Sequence, residues 1–205
     1  MKKTTKIDEL NILEYFSEME LPQEEIDKRV ALAEQIKQAY HEVFVLVKAQ
    51  QQTEDDIDDE LFENYLLDKY ADIFKENNID FTNEYIKDHV DETVAEVLRV
   101  TMENVGTAYY TSDGRAAIIA VNDSNAIYNY LYEQSFVKQG YKYKTWETMN
   151  DDRVRHSHII ADGQKVPITG MFDVGAYKMR FPCDTQYGGA EECVNCRCSA
   201  SYTKN

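Results

Sequence analysis

Residues 126–146 read AIYNYLYEQSFVKQGYKYKTW, and the change of pattern inside this stretch decides the fold. Up to Phe136 the stretch reads as the end of a helix that begins after the turn Ser112-Asp113-Gly114. After Gly140 the pattern becomes alternating, as Tyr143-Lys144-Thr145-Trp146, which is the period of a strand. One chain thus passes from helices to strands at a single glycine.

Upstream of that point the helical period dominates. From Pro22 to about Gln50, the residues Ile26, Val30, Ala33, Ile36, Tyr40, Phe44 and Val47 form an amphipathic stripe, with Pro22 at the first turn where its missing N–H costs nothing. Gln50-Gln51-Gln52-Thr53 closes this helix. Thr53 can cap a second one, with Glu54, Asp55 and Asp56 beside its positive end and an apolar stripe of Ile57, Leu61, Tyr65, Tyr70 and Phe74. Asn77-Asn78 breaks it, and a third helix runs from about Thr82 through Ile86, Val90, Val94, Val97 and Val100 toward Met102. A fourth lies between Asp113 and Phe136. The three N-terminal helices must cover one another's stripes, which predicts a long antiparallel arrangement with part of one stripe left for a partner.

Downstream of Gly140 come five of the eight glycines, two of the three prolines, all four cysteines and the only Trp. Short strands and turns suit that composition, with Asp162-Gly163 read as a hairpin turn. The predicted fold class is therefore α+β, with long antiparallel helices over 1–108 and a small domain of short strands and turns over 109–205.

Charge divides the chain in the same place. The formal net charge is −16, of which residues 1–100 carry −15 (11 Lys and Arg against 26 Asp and Glu) and residues 101–205 carry −1. So acidic a first half disfavours sequence-independent binding to nucleic acid and suits basic protein partners or plain solvation. Within it, Asp55-Asp56-Ile57-Asp58-Asp59-Glu60 lacks the glycine and spaced oxygen ligands of a calcium loop and reads as a solvated helix start. No apolar run approaches the roughly 20 residues that span a bilayer, and Met1-Lys2-Lys3 opens no signal sequence, so the expected location is a cytosol with no membrane partner.

The residues that carry chemistry sit in two clusters, Asp151-Asp152-Arg153-Val154-Arg155-His156-Ser157-His158 and, with Cys183, the group Cys193, Cys196 and Cys198. Cytosolic thiols are kept reduced, and zinc favours thiolate and imidazole, so a structural zinc site and a set of free buried cysteines are the two main readings. Cys193 and Cys196 have knuckle spacing, and Cys198 and either histidine could complete four ligands. An enzyme would instead use a thiolate beside Arg197, or a histidine acid oriented by Asp151 or Asp152 as in a nuclease. Trp146 with Tyr141 and Tyr143, near Lys138, Lys142 and Lys144, offers a third class, a stacking platform for single-stranded nucleic acid; the competing reading is a strand with one buried face.

Taken in order, Lys144 to Thr148, Asp152 to His158, Asp162-Gly163-Gln164, Phe172, Phe181-Pro182 and Asn195-Cys196-Arg197-Cys198 resemble the head-morphogenesis (minor head) proteins of the phage Mu F type. The preceding Arg115 to Ala120 and Asn125 to Tyr130 are similar to the helix that leads into that family's Trp strand, so the resemblance covers roughly 110–202. It implies that Trp146, Asp152, Arg153, Arg155, Asp162, Gly163, Asn195 and Arg197 are structural motif residues. Relatives place cysteines at positions 155 and 158 and a histidine at 193, which implies His158, Cys193, Cys196 and Cys198 as a metal set. Arg155 departs from that pattern, leaving open closure by Cys198 or Cys183, or a hydrogen-bonded knot with no metal. The resemblance further implies a low-copy, non-enzymatic virion component that acts with portal, scaffold or capsid proteins in the host cytoplasm and can meet packaged DNA. A phage-encoded nuclease or ADP-ribosyltransferase-like effector and a nucleic-acid-binding module are the alternatives.

Overall fold

A computed structural model describes residues 10–53 and 59–205. The element order is α1 (Ile12–Ser17), α2 (Gln23–Thr53), α3 (Asp59–Glu76), α4 (Glu84–Glu103), a 3₁₀ turn (Ala108–Thr111), α5 (Asp113–Lys138), β1 (Tyr143–Glu147), α6 (His156–Ala161), β2 (Lys165–Pro167), β3 (Phe172–Val174), β4 (Tyr177–Met179), α7 (Ala190–Cys193) and β5 (Ser199–Thr203). The fold class is α+β, as the two sequence periods require. Among the described residues no helix is long and apolar enough to cross a membrane. The acidic helix start at Glu54, Asp55, Asp56, Ile57 and Asp58 lies outside the described residues, as does Met1-Lys2-Lys3.

Two compact units form, one containing Ala31–Ala120 and the other Leu13–Val30 with Val121–Asn205. Neither follows the 1–108 and 109–205 division drawn from texture. In the first unit the helices run antiparallel. Gln35 of α2 meets Glu76 of α3, whereas Glu42, two turns on, meets Tyr65 and Lys69. Tyr40, Tyr70, Phe74 and Phe81 build a run of edge-on rings with centroids 6.3, 5.6 and 5.3 Å apart, the geometry that sets a ring's positive edge against its neighbour's negative face. α4 starts at Asn83, whose side chain accepts from the Ile86 N–H, and buries Ile86, Val90, Val94 and Val97. Its last turn is closed by Arg115, which donates to Thr101 Oγ1 at 2.6 Å and to the Val97 carbonyl at 3.1 Å.

The stripe of α3 is displaced by one position at Leu61 and Tyr65 and agrees with the expected one at Tyr70 and Phe74. Phe62, Leu66, Tyr70, Ile73 and Phe74 are buried, whereas Leu61 is 57% exposed and Tyr65 only partly covered. Both sets have helical spacing, and the way α3 packs on its neighbours selects between them. Tyr65 still contributes through its hydroxyl, which donates to Glu42 Oε2 at 2.5 Å.

In the second unit an antiparallel sheet has the order β2-β1-β5, with Lys144 opposite Val166 and Tyr202, and Trp146 opposite Ala200. β3 and β4 form a separate hairpin whose turn passes through Gly175 at φ +60°. Gln164, Trp146 and α6 correct the hairpin assigned to Asp162-Gly163. Asp162 ends α6 by donating its N–H to the His158 carbonyl, and Gly163 follows at φ +70° with its N–H on the Trp146 carbonyl. A glycine after the last helical residue serves a helix end as readily as a hairpin, because both need a left-handed residue. The sheet's inner face, together with α6, the hairpin and α7, encloses Trp146, Ala161, Phe172, Val174, Met179 and all four cysteines.

Candidate metal centre

The two polar clusters of the sequence meet in this core. α6 turns His158 inward, 1% exposed, and leaves His156 in solvent, as the hundred-degree step of a helix separates residues two apart. From the other side, the segment 195–198 approaches with alternate residues in and out. Asn195 takes φ +56° and gives its N–H to Asn122 Oδ1 at 2.8 Å; asparagine tolerates this left-handed conformation better than most side chains. Cys196 and Cys198 then point in, and Arg197 points out to grip both oxygens of Asp151 at 2.8 and 2.7 Å.

His158 Nδ1 lies 3.2 Å from Cys198 Sγ and 3.7 Å from Cys196 Sγ, and the three ligand atoms are all within 4.8 Å of one another. Its other nitrogen, Nε2, is 3.0 Å from Glu192 Oε2, close enough for an ion pair but not aligned as a hydrogen bond. Glu192 is held in turn by Ser157, whose hydroxyl donates at 2.7 Å. Trp146 stands edge-on to the imidazole at 5.4 Å and to Phe172 at 5.3 Å.

Cys193 is buried at the end of α7 but stands outside the group of three. Cys183, at φ +64°, lies 3.6 Å from the carbonyls of Cys193 and Cys196 and accepts from Asn125 Nδ2 at 3.3 Å. Hydrogen bonds from Cys183 and Cys198, aided by His158, hold the Cys196 thiol well below its usual pKa despite burial. The contact with Cys196, together with burial, pushes Cys183 and Cys198 up. Burial alone is the main cause for Cys193, pushed up to about 12.

The remaining motif residues form the rim. Arg153 pairs with Glu18 at 2.7 Å and with Asp151, and Arg155 donates to the Val194 carbonyl. Asp162 accepts from the Thr148 N–H and hydroxyl at 2.8 Å each, which fixes the exit from β1, while Asp152 is exposed. Trp146 is fully buried and Lys144 is 1% exposed, paired with Glu133. A buried indole has no free face for a base, so the stacking platform centred on Trp146 does not form.

Sequence reasoning missed the supports of this centre. Tyr15 donates to the Cys196 carbonyl at 2.8 Å, and so does Asn125. The same Asn125 accepts from Arg29, which is 1% exposed and also bonds Glu25 and Asn129. Glu192, not Asp151 or Asp152, is the carboxylate at the imidazole. Only Asn125 carried a signal, a polar residue on the apolar face of a helix; nothing local marks Tyr15, Arg29 or Glu192.

Fold and centre together define the class, an α+β protein in which a buried imidazole–thiol cluster ties a helix to the last strand. A model of the phage Mu protein F-like family matches residues 80–201, more than half of the chain, and the protein belongs to that family of phage head-morphogenesis proteins. The matched region begins ahead of α4, earlier than the motifs near 110 suggested. No curated protein and no solved structure gives a match.

Proposed function

We propose that the protein is a minor head protein that acts in the assembly of a phage head, in contact with portal, scaffold or capsid proteins. The family match over residues 80–201 carries this reading. The burial of His158 and Glu192 supports a structural role, because a general acid needs a substrate within hydrogen-bond reach and this pair lies inside the core. The acidic first hundred residues, net −15, favour a basic protein surface over packaged DNA as the first partner. Assembly then takes place in the bacterial host cytoplasm, and the protein leaves with the virion.

Capture of tagged full-length protein from infected or prophage-induced cells tests this. Portal, scaffold or capsid protein should be recovered with it, in a salt-dependent manner if charge steers the contact. Recovery of none of the three, from cells that make normal heads, would overturn the assignment.

A further inference from the structure

The buried cluster of His158, Cys196 and Cys198 has the geometry of a metal site. A tetrahedral zinc ion with nitrogen at about 2.0 Å and sulfur at about 2.3 Å spaces its ligand atoms by about 3.5–3.8 Å. Of the two nitrogen–sulfur separations, 3.7 Å lies within that spacing and 3.2 Å just below it. Calcium and magnesium prefer oxygen ligands, whereas two sulfurs and an imidazole suit a borderline-soft ion such as zinc.

An independent observation comes from behind the imidazole. A histidine that ligates a metal through one nitrogen commonly presents the other to a carboxylate, which fixes its tautomer and orientation. Glu192 stands at that place, 3.0 Å from Nε2 and braced by Ser157. Gly175 makes room for it, since a Cβ there would come within 2.3 Å of Glu192 Oε1. The backbone thus leaves out a side chain where the carboxylate must sit.

On the open side, a cavity of about 20 Å³ is lined by His158, Cys196 and Cys198 with Met149, Val154 and Arg155. That is room for one water molecule. Cys183 and Cys193 do not join the three ligand atoms.

We propose that His158 Nδ1, Cys196 Sγ and Cys198 Sγ bind one zinc ion, with a water from the adjoining cavity as the fourth ligand. Both sulfurs bind as thiolates, any proton they carry goes to solvent, and no redox change is involved. The ion joins α6 to the segment entering β5, forty residues apart in sequence, and its binding free energy adds to the stability of the folded unit. This ligand set differs from the one the motif spacing offered, because Cys193 is left out.

The test uses full-length protein purified without chelator and then exchanged with cobalt. About one equivalent of zinc is expected, and the cobalt form should show the visible bands of a tetrahedral site with near-ultraviolet charge transfer from two thiolates. His158→Gln, Cys196→Ser and Cys198→Ser should each lower metal content at least tenfold, while Cys183→Ser and Cys193→Ser keep it. Wild-type protein with less than about a tenth of an equivalent and no cobalt spectrum overturns the proposal. Charge transfer from three or more thiolates, or loss of metal in Cys193→Ser, replaces the ligand set by a closed one. Should the ligand variants fail to fold, the wild-type cobalt spectrum still decides, because its intensity counts thiolates.

Discussion

The two compact units are stabilised by different chemistry. Ala31–Ala120 is a set of helices with apolar stripes, edge-on aromatic rings and ion pairs at the surface, such as Arg99 with Glu96 and Glu103. Val121–Asn205 with Leu13–Val30 buries paired charges and sulfur as well: Lys144 with Glu133, Arg29 with Asn125 and Asn129, and His158 among Cys196, Cys198 and Glu192. Apolar packing tolerates replacement by residues of similar volume, while a buried polar group requires its particular partner. The difference teaches where substitutions should be graded and where they should be all-or-none.

The sharpest contrast is expected at the buried ion pair. Glu133→Ala leaves the ammonium of Lys144 unpaired in the core and should cost about 3–5 kcal/mol. Denaturation followed by the fluorescence of Trp146, the only Trp and a part of the same core, measures it. Glu133→Ala combined with Lys144→Met should recover much of the loss; an equal loss in the double variant would show that shape, not charge, is decisive.

Next in size is a pair of neighbours on α3. Leu66→Ala should cost about 3 kcal/mol through the cavity it leaves, and Leu61→Ala less than about 0.5 kcal/mol. Helix loss on urea titration, read by circular dichroism, compares them. Equal costs would mean that the stripe through Leu61 is covered by something in solution.

A smaller effect is expected at Asn195, whose left-handed backbone precedes the two cysteines. Asn195→Ala should destabilise by about 1 kcal/mol and Asn195→Gly by little, since glycine adopts this conformation without penalty. A reversed order, measured by Trp146 fluorescence, would point to the side chain rather than the backbone.

The smallest concerns Glu42, whose pKa is lowered to about 2 by hydrogen bonds from Tyr65, Gln38 and Lys69. A folded value below the unfolded 4.5 means that the contribution is fully present above pH 4.5 and is lost as pH falls toward 2. The carboxylate is one-third exposed, so solvent screening limits the effect to roughly 0.5 kcal/mol. The stability gap between wild type and Glu42→Gln should narrow across that window; a gap independent of pH would assign it to the hydrogen bonds alone.

Much of this architecture was legible in local sequence. The stripe Ile36-Tyr40-Phe44-Val47 has one helical solution, and all four residues are buried on α2. The helix-to-strand change at Gly140 was equally plain, because most glycines and prolines, all four cysteines and the short β-type runs gather beyond it. Phe62-Leu66 against Leu61-Tyr65 was not, since two stripes one residue apart satisfy the same period. Asp162-Gly163 was misread for a similar reason, as a left-handed glycine ends a helix and turns a hairpin alike.

By itself, then, the sequence determined the fold class, the positions of the four long helices, the family and the segments that hold the thiols and imidazoles, because periodicity, turn residues and motif spacing are local properties. Only the tertiary structure decided that Leu13–Val30 belongs with Val121–Asn205, that Glu192 rather than Asp151 faces His158, and that Cys193 stands apart while Cys196 and Cys198 meet the imidazole. Those choices depend on which way each side chain points once helices and strands have packed. A contact across forty or 181 residues, such as Tyr15 on the Cys196 carbonyl, leaves no periodic trace in the chain.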